Sequence, residues 1–171
     1  MCGIAGIINL DKKPIEPKIL KKMTQTLSHR GPDDEGLFID KNIGLGHCRL
    51  SIIDLSSAGH QPMSYDRQNL VIVYNGEIYN YLEIREELKK KGYKFKSQTD
   101  TEVILASYQE WGTDCLKRFN GMWALAIYDK KKNLFFASRD RLGVKPFYYY
   151  NDQNKFVFAS EIKGILAHPD I

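Results

Sequence analysis

The sequence predicts an α+β layered domain: a sheet covered by a second sheet on one face and by helices on the other. Three observations carry that expectation. Strand-like runs outnumber helix-like ones, and successive late runs are joined by the short connections that antiparallel hairpins use. Met122 to Tyr128 is apolar at both parities, so both of its faces need cover. The 171 residues are 43% hydrophobic. A chain of this size buries roughly 70% of its unfolded surface and needs no disulfide or metal staple. No repeat, low-complexity block or Pro/Ser-rich linker divides it, so one folded unit is expected.

In chain order, the first strand is Cys2 to Ile8. Pro17, whose fixed φ suits a first helical turn, opens a helix with Leu20, Met23 and Leu27 on one face and Gly31 beyond its end. Strands follow at Gly36 to Ile39, Gly44 to Ile53 and Leu70 to Tyr74. A second helix runs from Leu82 to Lys91, where Glu86 and Glu87 precede Lys90 and Lys91 at the favourable four-residue spacing and Gly92 supplies the stop. A third begins near Thr99, spaced from Glu102 as in a capping box, with Ile104, Leu105, Tyr108 and Trp111 as its apolar face before Gly112. The last strands are Met122 to Tyr128, Leu134 to Ser138, Phe147 to Tyr150 and Phe156 to Ala159. Lys130-Lys131-Lys132-Asn133 joins the first two as a hairpin turn.

Lys and Arg number 25 against 21 Asp and Glu, a net charge of +4 without the single-sign excess of a dedicated nucleic-acid binder. Arg139 to Lys145, followed by Tyr148 to Tyr150, reads either as a single-strand platform or, with Asp140, Gly143 and Pro146, as a structured loop. Three cysteines (Cys2, Cys48, Cys115) form no C-x-x-C pair and fit a reducing, cytoplasmic setting. The histidines and cysteines lack zinc spacing, so no metal is expected. Ile4 to Ile8 is too short to span a bilayer and lacks leader features, and residue 2 is not the glycine that myristoylation needs, so no membrane partner is expected.

The chemistry-bearing residues each admit two readings. Loss of Met1 would give Cys2 both a thiol and a free α-amine; with pKa values of about 8.5 and 7.7 to 8.0, proton exchange between them is cheap, the logic of an N-terminal nucleophile. Cys2 is also an ordinary core cysteine opening a strand. Asn75 and the Gly76 N–H can converge on one oxygen as an oxyanion hole, or form a hairpin turn. Arg49, facing away from Cys48 along a strand, can grip a carboxylate or make a surface ion pair. Asp100, at a helix start, can hold an ammonium while the dipole keeps it ionised, or merely cap the helix. For His29 to Asp33, a helix exit and turn accounts for every residue type.

Taken together, Met1-Cys2-Gly3-Ile4-Ala5-Gly6, His29-Arg30-Gly31-Pro32-Asp33, Arg49-Leu50-Ser51-Ile52-Ile53-Asp54, Gly59-His60-Gln61-Pro62, Asn75-Gly76-Glu77-Ile78-Tyr79-Asn80, Asp100-Thr101-Glu102 and Arg139-Asp140-Arg141-Leu142-Gly143 resemble, in order, the glutamine-hydrolysing half of asparagine synthetases. These are class II glutamine amidotransferases with the N-terminal nucleophile hydrolase fold. The resemblance implies a four-layer αββα sandwich over residues 1–171, and attack by Cys2 on the side-chain amide of L-glutamine. It assigns the oxyanion to Asn75 and Gly76, the α-carboxylate to Arg49, the α-ammonium to Glu77 and Asp100, and the rest of the substrate to the backbone of Leu50, Ser51, Ile52 and Ile53. It implies an ammonia-accepting synthetase domain as partner, in cis or trans, and allows a homodimer. The Ser-Gly-Gly-rich pyrophosphate loop of that domain is missing here and Glu161 to His168 resembles its lead-in, so ATP and Mg are expected only with that domain and no cofactor in this chain. A catalytically idle docking or regulatory module is the alternative.

Overall fold

A computed structural model describes residues 1–67 and 69–171. Period-two patterning sorts its strand residues among three hydrophobic cores. In β1 (Gly3–Asn9), Ile4 and Ile8 enter one core while Ala5 and Ile7 enter another, so the strand is covered on both faces. Next come α1 (Pro17–Gln25), β2 (Asp34–Asp40), β3 (Ile43–Arg49), β4 (Met63–Tyr65) and β5 (Leu70–Ile78). They lead to α2 (Tyr81–Lys90), α3 (Asp100–Trp111), β6 (Gly121–Asp129), β7 (Leu134–Arg139), β8 (Tyr148–Asn151), β9 (Lys155–Ala159) and α4 (Ile162–Leu166).

The strands form two antiparallel sheets, ordered β2-β3-β1-β9-β8 and β4-β5-β6-β7. Between them lie Ile4, Leu45, Val71, Val73, Ala124, Ala126 and Phe158. Outside the first sheet, Leu20 and Met23 of α1 and Ile165 of α4 pack on Ala5, Ile7, Val157 and Ala159. Outside the second, Ile84 and Leu88 of α2 and Ile104 and Leu105 of α3 pack on Ile72, Leu125 and Ile127. The expected four layers are present, and the two parities of β6 divide between the inter-sheet core and the helical cover.

Several boundaries differ from expectation. α1 ends at Gln25, and Leu27 is buried just beyond it, ahead of a 3-10 turn at Ser28–Arg30. The Glu86–Lys90 and Glu87–Lys91 pairs do not form: Glu86 binds Lys89, Glu87 binds Arg118 and Lys91 binds Glu110. Thr99 accepts the Glu102 N–H as a cap, but the Glu102 carboxylate turns to the N–H groups of Lys96 and Ser97, leaving half a capping box. The short strand β4 and helix α4 are additions to the expected elements.

Candidate active site

Because β1 begins at Gly3, paired with Cys48 of β3, Cys2 lies abreast of the chain leaving β3. Its Sγ accepts the Leu50 N–H at 3.4 Å and lies 3.6 Å from the Leu50 carbonyl. Arg30 Nε donates to the Cys2 carbonyl at 3.0 Å, while Arg30 Nη1 donates to Glu161 at 2.9 Å. The stretch His29 to Asp33, which a helix exit and turn accounted for, thus clamps the backbone of residue 2. Burial pushes the Cys2 thiol above its ordinary pKa; the Leu50 N–H and neighbouring positive charges pull the other way and are outweighed. The thiol is therefore protonated near neutral pH, and a base would be required to make it a nucleophile.

Asn75-Gly76 is not a turn. β5 continues through both residues, Asn75 opposite Ala124 and Gly76 opposite Trp123. Val71 and Val73 face the inter-sheet core, and Asn75 shares their parity, so it faces the end of the cleft where Cys2 lies. Its Nδ2 is buried with no hydrogen-bond partner among the described residues. Leaving such a donor unpaired costs about 1–3 kcal/mol. At Gly76 a side chain would sit 2.3 Å from the Met122 carbonyl, so only glycine fits there.

On the opposite parity, Tyr74 faces α3 and its hydroxyl donates to Asp100 Oδ2 at 2.8 Å; the Ile78 N–H donates to the same oxygen at 3.0 Å. Burial raises the Asp100 pKa above the carboxylate norm, against the pull of these donors and the Thr101 N–H. Burial thus works against the ionised form that the helix start was expected to favour. Gln61 ties the same strand: its Oε1 accepts the Tyr74 N–H at 2.7 Å.

Arg49 and Cys48 do face opposite ways. Cys48 Sγ lies 3.3 Å from the Thr24 carbonyl in the α1 core, whereas buried Arg49 lines the cleft, its Nη1 donating to the Ser56 carbonyl at 2.9 Å and its Nη2 to the Asp54 carbonyl. The strand expected to run to Ile53 stops at Arg49, and residues 50–59 fold back over the guanidinium. Asp54 anchors that loop through Ser56 and the Gln98 N–H, contacts that lower its carboxyl pKa to about 2. Leu50, Ile52 and Ile53 line the cleft; Ser51 does not, its N–H donating to Asp33 at 2.8 Å.

The cleft encloses about 150 Å³ and brings together Cys2, Arg49, Asn75, Gly76, Glu77 and Asp100. A thiol, an unpaired amide donor, cations at Arg49 and Lys145 and the carboxyls of Glu77 and Asp100 suit a small zwitterion carrying an acyl group. Arg30, Gln61 and Lys145 also belong to the site and were not among the residues assigned to it; Arg30 and Gln61 stand inside motifs already noted. Among the described residues no cluster of His, Cys, Asp and Glu could hold a metal, and no helix is long and apolar enough to cross a membrane.

The model of the glutamine amidotransferase domain family matches residues 1–171. The chain belongs to that family. The amidotransferase domain is 56% identical to a putative glutamine-hydrolysing asparagine synthetase 2 of Methanocaldococcus jannaschii, covering 100% of this chain and 36% of that protein. It is 48% identical to asparagine synthetase 3 of Bacillus subtilis (100% and 28%) and 38% identical to asparagine synthetase B of Escherichia coli (97% and 30%). It thus spans about a third of the length of these curated relatives. Glutamine phosphoribosylpyrophosphate amidotransferase of B. subtilis shares its fold, with a TM-score of 0.82 at 19% identity over 97% of this chain and 43% of that one. The two sheets and their helices are those of the N-terminal nucleophile amidotransferase fold.

Proposed function

We propose that the domain hydrolyses the side-chain amide of L-glutamine to glutamate and ammonia, and that the ammonia serves an ATP-dependent asparagine synthetase or synthetase-like domain. Removal of Met1 frees the Cys2 α-amine, which takes the thiol proton as sulfur attacks the amide carbon. The Asn75 Nδ2 and the Gly76 N–H hold the tetrahedral oxyanion. The same amine then delivers its proton to the leaving nitrogen, ammonia departs, and water hydrolyses the glutamyl thioester with the amine again as base. Arg49 holds the α-carboxylate, Glu77 and Asp100 the α-ammonium, and Leu50, Ile52 and Ile53 flank the substrate.

The observation that carries this reading is the unpaired, buried Asn75 Nδ2 in the cleft that Cys2 lines. A donor kept at that cost fits an acceptor that arrives with the substrate, and an idle docking module has no use for one. The amidotransferase family and its asparagine synthetase relatives supply the substrate class. The reading puts the protein in the cytoplasm, with ATP and Mg bound by the synthetase partner. Light scattering tests whether this chain self-associates.

The test is intact mass, glutamate release and labelling by an electrophilic glutamine analogue. Loss of Met1, a label on residue 2 and inactivity of Cys2→Ala are expected. Glutamate release at the wild-type rate by Cys2→Ala, or by a chain retaining Met1, would overturn the proposal.

A further inference from the structure

The loop from Arg139 to Lys145 is wound around one carboxylate. Asp140 accepts the N–H groups of Trp123 at 3.2 Å, Leu142 at 3.1 Å, and Val144 and Lys145 at 2.9 Å. Arg139 closes the loop from the other side, donating from Nε to the Lys145 carbonyl at 2.7 Å and from Nη2 to the Gly143 carbonyl at 2.5 Å. A loop held by six such bonds presents the side chain of Lys145 at a fixed place. Lys145 is buried as a residue, and its ammonium lies part-buried at the edge of the Cys2 cleft that it lines.

Its ammonium finds no carboxylate among the described residues; its hydrogen-bond contact is the Met1 Sδ, at 3.5 Å. A thioether is a weak acceptor, and a part-buried cation without a counter-ion is costly. Met1 is also the residue whose removal bares the Cys2 nitrogen, within a methionine side chain's reach of that ammonium. We propose that Lys145 is a positioning residue that acts through the Cys2 α-amine, holding it unprotonated so that it can accept the thiol proton. This rests on the reading of Cys2 as an N-terminal nucleophile.

The physical reason is like-charge repulsion: a fixed cation disfavours a second one nearby. The other groups around the amine divide. Arg30 and Arg49 act in the same direction; Glu77 and Asp100 oppose, and Glu161 is paired with Arg30. Tyr74 stays neutral because burial holds its pKa well above the ordinary value. In the transfer itself the S–H bond breaks and an N–H bond forms on the amine, leaving thiolate and ammonium side by side.

The experiment is the pH profile of kcat/KM for glutamine in wild type, Lys145→Met and Lys145→Arg. Methionine keeps the stem's packing and removes the charge. Its acidic limb is expected to move up by about one pH unit, which is about a tenfold loss below the limb and little loss above pH 9. Arginine is expected to restore the wild-type limb. A uniform loss at every pH, an unmoved limb, or a limb moved down overturns the proposal. Lys145→Gln repeats the test should the methionine variant not fold. Labelling of wild-type residue 2 by the glutamine analogue separates the two readings: no label sinks the nucleophile, whereas a label with an unmoved limb sinks only the role of Lys145.

Discussion

At Asn75 the fold keeps a buried amide nitrogen without a partner among the described residues, although neighbouring polar groups such as Tyr74 and Asp100 satisfy one another. That asymmetry separates a catalytic donor from a structural one by two measurements. Asn75→Ala deletes a donor that stabilises nothing in the free protein, so urea unfolding is expected to show stability unchanged or slightly higher. Glutamate release is expected to fall about 100-fold to 1,000-fold in kcat, the usual consequence of losing one oxyanion donor. A large loss of stability, or kcat within threefold of wild type, would remove Asn75 from that role. Cys2 obeys the same logic, since its thiol pKa is raised by burial and a nearby base has to do what the environment does not.

The elements that place these residues were only partly legible in the sequence. Period-two runs revealed most of the strands, and Gly92 and Gly112 do end α2 and α3, each with positive φ. The failures occur where distant partners override local signals. Asn75-Gly76 reads as a turn, yet the ladder with β6 continues through it. Leu50 to Ile53 reads as strand, yet its apolar residues wall the cleft. Arg30 and Lys145 escaped assignment because their contacts span 28 and 144 positions of chain. The loop over Arg49 gives a test at this scale. A Cβ at Gly59 would lie 2.1 Å from Arg49 Nη2, and that guanidinium is already held by the Asp54 and Ser56 carbonyls. Gly59→Ala is therefore expected to displace it. Losing a charge-assisted bond worth about 1.5–3 kcal/mol raises the KM for glutamine roughly tenfold to a hundredfold, with kcat changed far less. An unaltered KM would mean that Arg49 does not hold the substrate.

Across the whole molecule, the two sheets are joined mainly by apolar side chains, and His47 is a polar group among them. It shares the parity of Leu45 on β3, is fully buried between the sheets, and its Nε2 donates to the Tyr74 carbonyl of β5 at 3.1 Å. Nδ1 has no partner among the described residues, so the neutral ring is the form that fits. Burial lowers its pKa from 6.5 to about 4, helped by Arg49 and His60 and opposed by the Tyr74 bond and Asp34. Between those pH values the unfolded chain binds a proton that the folded one excludes, so stability falls as pH falls. The contribution of the neutral ring is complete above pH 6.5 and is lost as pH drops through 4, a change of about 3 kcal/mol. Asp54 and Glu161, both lowered to about 2, weaken the fold only below the ordinary carboxylate range, while His168, also lowered by burial, adds to the slope above it. Urea unfolding at intervals from pH 7.5 to 4.5 is therefore compared between wild type and His47→Gln, whose amide can still donate to Tyr74. The variant is expected to lose much of the decline and to keep the part due to His168; an identical slope in both proteins would show that protons enter the sheet interface elsewhere.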